Sequence, residues 1–198
     1  MLPLLAVAVV AGILAVDYFV LPNGHLSRVL QGLEDEPAHA LTALLLLAAL
    51  NPAWLERFWV PVGITAILID ADHLPKEFGY DILTRGTTRP YSHSFTTVVI
   101  VLLVTLLLPA ASRGIGLAVT FGLLAHFFRD LATNAVSLLW PLTREGFRIP
   151  YLSYALVLVA AAGIILVRSR FDEARAAPAS ARPPASYPSQ PRAVRHQS

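Results

Sequence analysis

Apolar residues in this chain gather into long blocks, separated by connections rich in Pro, Gly and charge. Hydrophobic residues make up 56% of the 198 positions and charged residues only 14%, against roughly 25% charged in a soluble domain. One small core cannot bury blocks of this size, whereas a bilayer solvates them. The pattern predicts an all-α, polytopic membrane protein with about six apolar helices, over about 2–21, 37–50, 58–72, 94–111, 115–140 and 151–167.

The first segment lacks a basic n-region and a small-residue cleavage site, so it reads as a retained helix. In the second, Pro37 suits the first helical position, Asp35 and Glu36 suit the positive end of the helix dipole, and Asn51-Pro52 ends it. At 1.5 Å per residue that segment spans only about 20 Å, short of a bilayer core of about 30 Å. Residues 1–167 form the expected membrane-embedded domain. Residues 168–198, with five Pro and many Ala and Ser, form an expected disordered basic tail.

There is no cysteine, so a metal must be held by His nitrogen and carboxylate oxygen. The net charge of +2 is unevenly placed: 1–167 carries nine basic and eleven acidic residues, 168–198 six Arg against Asp172 and Glu173. The positive excess is a tail property and does not describe a nucleic-acid-binding domain; no nucleic-acid partner is expected.

In an alternating six-helix chain the loops 22–36, 74–92 and 141–150 share one side. His39 starts its segment from that side, and Asp70, Asp72 and His73 end theirs on it. His93 starts the next, and His126 and Asp130 lie in the nearer half of the fifth. Ionisable groups are costly in a membrane helix, so such convergence marks a site. His126 and Asp130, spaced i, i+4, share a helix face that Asn134 extends. They read either as two ligands, as a ligand and its partner, or as a buried His–Asp pair locking helices. Asp70 and Asp72 at a helix C-terminus oppose the dipole and call for a compensating cation. Ser92 is a candidate N-cap with His93 in the first turn, and Arg89 suits an anionic group or the headgroup layer. Taken alone, His39 and His93 are boundary histidines, and His25 has only its side of the membrane to recommend it. Asp17 reads as a buried polar contact.

These motifs resemble those of the membrane-bound metal-dependent hydrolases of the YdjM type, some described as LexA-regulated inner-membrane proteins. That family opens a helix with Gly/Thr-His, then shows Pro-Asp-x-Asp-His, His-Arg-Gly-x-Thr-His-Ser, a His-x-x-x-Asp helix running to Leu-Leu-Trp-Pro, and an Arg-x-Pro-like turn. The matching blocks here are Ala38-His39, Ile69-Asp70-Ala71-Asp72-His73, Arg89-Pro90-Tyr91-Ser92-His93-Ser94, Gly122 to His126 with Asp130, Leu138-Leu139-Trp140-Pro141 and Phe147-Arg148-Ile149-Pro150, over about residues 38–150. Thr88, Pro90 and Ile69 depart from the family's His, Gly and Pro. The His-x-x-x-Asp helix is also similar to those of zinc-dependent phospholipase C and P1-type nucleases.

Together these readings imply a metal-dependent hydrolase of the cell membrane, acting on a lipid-like ester or phosphoester at the bilayer surface. His39, Asp70, His73, His93, His126 and Asp130 are the expected ligands of a divalent metal: zinc, with manganese or iron as alternatives. Asp72 is a ligand or general base, and Arg89 holds an anionic, amphiphilic substrate. The competing readings are a metal or proton transporter and a structural membrane protein without catalysis.

The positive-inside rule, applied to Arg168, Arg170 and Arg175, puts the C-terminus in the cytoplasm and turns the site outward. The margin is small, because Arg28, Lys76, Arg85, Arg89, Arg144 and Arg148 lie on the site's side. A reporter fused after Ser198 is expected to be active in the cytoplasm; activity only outside it reverses the topology and turns the site inward.

Overall fold

The computed structural model describes residues 2–20, 28–87 and 89–176. Among these, six longer helices and one short one form the fold. Helix α1 (Leu2–Ala15) continues as a π-helical turn, Val16–Val20. Helices α2 (Arg28–Leu50) and α3 (Pro52–Leu68) follow, and α3 runs through a 3-10 turn, Ile69–His73, into the short α4 (Leu74–Glu77). Then come α5 (Phe95–Leu107), α6 (Ala110–Thr133) and α7 (Tyr151–Ala176). No strand occurs among the described residues, only an isolated antiparallel bridge between Val136 and Phe147.

Among the described residues, three helical stretches are long and apolar enough to cross a membrane: Pro52–Lys76, Ala110–Thr133 and Tyr151–Arg175. Pro3–Phe19 and Phe95–Leu107 are shorter apolar helices. Exposed Val99, Leu103, Leu106 and Leu107 on α5, and Leu152, Leu156, Val159 and Ile164 on α7, give an apolar exterior suited to lipid.

Helix α6 is the hub. Its Ala132 joins the cluster of Ile13, Leu45, Tyr154 and Leu158 from α1, α2 and α7. Its Ala118 and Ala125 pack with Leu47, Phe58, Val62 and Ala66 from α2 and α3. Its Leu123 and Phe127 meet Val98, Val136 and Leu138. Close approach of α3 and α6 depends on Gly122, where an added Cβ would lie 2.8 Å from the Val62 carbonyl oxygen and 3.0 Å from Thr65 Cβ. Small residues let membrane helices meet backbone to backbone.

Several helix ends differ from expectation. Helix α2 begins at Arg28, which puts Pro37 inside it, where it has no amide hydrogen for the helix ladder. Asp35 in the turn before Pro37 is bound by Arg129, which favours keeping that turn helical. Asn51 caps α3, its Oδ1 accepting from Trp54 N at 3.1 Å, so α3 starts at Pro52 rather than 58. Helix α6 ends at Thr133, not 140: Asn134 is extended, and the chain turns to pair Val136 with Phe147. Asn134 therefore does not extend the His126–Asp130 face. Helix α7 runs to Ala176, so the boundary drawn at 167 falls within it. The rest of the expected tail, and His25 and Thr88, lie outside the described residues.

Gly122→Ala is expected to force α3 and α6 apart at a cost of about 1–3 kcal/mol. Thermal unfolding in detergent would show it as a lowered midpoint; an unchanged midpoint would mean the two backbones separate freely.

Candidate metal centre

Helix α6 carries His126 into the bundle with 0% exposure. Its Nδ1 lies 2.8 Å from the carbonyl oxygen of Ala66 on α3. A carbonyl only accepts, so Nδ1 carries the hydrogen and Nε2 presents a bare lone pair. That lone pair faces Asp130 Oδ2 at 3.2 Å, His93 Nε2 at 3.2 Å and Asp70 Oδ1 at 3.6 Å. Acceptors facing one another in a buried site need a proton or a cation between them.

His93 comes from the connection ahead of α5, and several contacts fix that segment. Tyr91 stacks on Trp140 with ring centres 4.5 Å apart, Phe95 N donates to Leu138 O at 2.8 Å, and Ser94 Oγ donates to Tyr91 O. Ser94 takes the N-cap position, so His93 precedes the helix rather than lying in its first turn. Ser92 is not a cap; its hydroxyl donates to Asp72. His93 is fully buried, with Nε2 2.9 Å from Asp70 Oδ1 and 3.5 Å from Asp130 Oδ2, and Nδ1 3.3 Å from Asp72 Oδ2. Asp72 stands where an orienting carboxylate stands behind a metal-binding histidine.

Asp70, His93, His126 and Asp130 thus offer four ligand atoms within 4.8 Å of one another. The separations just given run from 2.9 to 3.6 Å. A tetrahedron with ligand bonds of about 2.0–2.1 Å has edges of roughly 3.3 Å. The donor set fits a divalent cation. A second set of four, sharing Asp70 and His93 with the first, adds Asp72 and His73. The 3-10 turn carries Asp70 and His73 on one edge, with His73 Nε2 3.4 Å from Asp70 Oδ1.

His39 on α2 is also buried, its ring stacked on that of His126 at 3.9 Å. Its Nε2 lies 3.8 Å from Asp130 Oδ1, 4.0 Å from Asp70 Oδ2 and 3.6 Å from Asp35 Oδ2. Arg89 closes the loop side: Nη2 donates to Asp130 Oδ1 at 2.6 Å, and Nη1 lies 3.2 Å from His73 Nε2. The structure therefore brings together all eight residues singled out from the sequence.

Sequence reasoning missed a second layer. Arg129 is fully buried, with Nη2 2.5 Å from Asp17 Oδ1 and Nη1 2.5 Å from Asp35 Oδ1. Tyr151 donates its hydroxyl to Asp17 Oδ2 at 2.7 Å. Glu36 beside Asp35 has a buried Oε2. The available signal was Arg129 itself, since a cation inside an apolar helix demands an anionic partner elsewhere in the chain.

The chain matches the YdjM inner membrane protein family over residues 35–183. It belongs to that family. No curated protein and no solved structure matches it. With its spans, membership in the YdjM family makes it a multi-pass protein of the cell membrane. The YdjM match begins at residue 35, so α1 and the π-helical turn after it, which supplies Asp17, precede the matched region.

Burial by itself would depress the His93 imidazole, but Asp70 and Asp72, with Asp130 nearby, outweigh it and hold the ring up at about 9. Its contribution to folding is then complete below its ordinary 6.5 and is lost as pH rises through about 9. Chelator-treated protein is expected to melt at progressively lower temperature across that window, and His93→Gln to flatten the profile. A wild-type midpoint that stays level across it would contradict the assignment.

Proposed function

We propose that this protein is a membrane-bound metal-dependent hydrolase acting on a lipid-like ester or phosphoester at the bilayer surface. The observation that carries this reading is the convergence of Asp70 Oδ1, His93 Nε2, His126 Nε2 and Asp130 Oδ2. His39 and His73 flank it as further ligands. Zinc suits the nitrogen and oxygen donors, and manganese or iron are the alternatives. A divalent cation bound there supplies Lewis-acid polarisation of the scissile group and an acidified water.

The chain's own residues supply the rest. Asp72 Oδ1 is buried without a hydrogen-bond partner, 3.8 Å from His73 Nε2, and accepts the proton of the attacking water. Its Oδ2 keeps His93 oriented. Arg89 has N–H groups left beyond those facing Asp130 and His73, and these hold an anionic oxygen of the substrate. His73, with 28% of its side chain exposed, lines the open side, while Phe127, Val136 and Leu138 exclude water from the other. A site open at the end of the helices suits an amphiphile whose tail stays in the bilayer.

Transport is the weaker reading. Between the His39–Asp70–Asp130 layer and Glu56, Arg57, Arg113 and Arg168 beyond it, the described helices carry no charged residue, and the Tyr154 hydroxyl there is bonded to Thr42 Oγ1 at 2.7 Å. Thr105 and Thr120 there return their hydroxyls to carbonyls of their own helices, Val101 and Gly116. Among the described residues no continuous polar path crosses the bundle.

Detergent-purified protein is expected to cleave a member of a lipid ester and phosphoester panel, to lose activity to chelator and to regain it with zinc or manganese. His126→Ala and Asp70→Ala are expected to lose more than the roughly 10–100-fold that removal of an outer partner costs. Turnover that survives complete metal removal overturns the proposal.

A further inference from the structure

The two aspartates of the proposed centre have a second side. Asp70 Oδ1 and Asp130 Oδ2 face His93 and His126. Their other oxygens, Asp70 Oδ2 and Asp130 Oδ1, face His39 Nε2 at 4.0 and 3.8 Å. From the opposite direction Asp35 Oδ2 reaches the same nitrogen at 3.6 Å. Next to Asp35, Glu36 has a buried Oε2 without a hydrogen-bond partner.

His39 is the independent pointer to a ligand. The ring has 0% exposure, and neither of its nitrogens has a hydrogen-bond partner. A neutral imidazole has one donor and one acceptor, and leaving both unmade in a buried site is costly. We infer that His39, Asp35 and Glu36, with the second oxygens of Asp70 and Asp130, form a second divalent-cation position beside the first.

Charge makes the same demand. Among the described residues, Asp17, Asp35, Asp70, Asp72 and Asp130 outnumber the two guanidiniums paired with them, Arg89 and Arg129. With the histidines as neutral ligands, that buried anionic excess calls for cations. Arg129 holds Asp35 by Oδ1 and leaves Oδ2 toward His39. Arg89 approaches Asp130 Oδ1 from the loop side, and that oxygen is shared with the second position.

Ring stacking supports adjacency. His39 and His126 are 17° from parallel with centres 3.9 Å apart, and they present Nε2 to different oxygens of the same two carboxylates. Ions in two-metal hydrolytic sites lie about 3.5–4 Å apart and clamp both the attacking and the leaving oxygen. The inference rests on the proposed first position and adds Asp35 and Glu36, at the start of the region matched to the family.

The test counts metal in the full-length protein, purified without chelator and loaded with manganese. Wild type is expected to hold two ions per chain. His39→Ala, and Asp35→Asn combined with Glu36→Gln, are each expected to hold one. Wild type with a single ion, or variants that keep two, overturns the second position while leaving the first standing. Wild type with none overturns both. A measurement that needs no variant completes the test: wild type at two equivalents of manganese should give the exchange-coupled resonance spectrum of a carboxylate-bridged pair. A spectrum of isolated ions only, at full loading, overturns the inference.

Discussion

The hydrogen bond between His126 Nδ1 and the Ala66 carbonyl sets the register of the molecule. It needs a main-chain oxygen of α3 within reach of a side chain of α6, and that needs the two helix backbones in contact. Gly122, one turn before His126, removes the side chain that would keep them apart. The bond also decides which imidazole nitrogen is bare and where it points. Helix packing and ligand chemistry are therefore one arrangement, and Ala66, Gly122 and His126 act as its parts.

Around that contact the site is assembled in shells of alternating charge. Neutral and cationic donors face Asp70 and Asp130 from within the bundle, Arg89 faces them from the loop, and Arg129 stands behind Asp35. A low-dielectric surrounding makes each uncompensated charge expensive, so the layers cannot be varied independently. Tyr154 and Thr42, bonded at 2.7 Å just inside the Arg129 layer, mark where the polar region ends and the apolar bundle begins.

Much of this was legible in the sequence because a membrane imposes simple rules. Apolar blocks reveal helices, and alternation of helices assigns His39, Asp70, His93 and His126 to one end without any contact information. Helix ends were less legible, because they answer to partners distant in the chain. Pro37 looks like a helix start until Asp35 has Arg129 to bind. Residues 134–140 look like more of α6, but pairing of Val136 with Phe147 draws them out of it. Asp17 reads only as a buried polar contact and Arg129 draws no reading from the sequence, and the fold shows that one explains the other.

That pair has a consequence for how the protein is made. Asp17 and Arg129 are 112 residues apart in sequence. At synthesis rates of about 5–20 residues per second the first helix waits on the order of 6–20 s before its partner exists. During that interval a lone carboxylate stands at the margin of the bilayer with no cation of its own. The first helix therefore cannot settle into its final depth as it leaves the ribosome. Its contacts with Arg129 and Tyr151 can be completed only after α6 and the start of α7 have been synthesised, so the earliest segment made depends on the later ones for its polar partners.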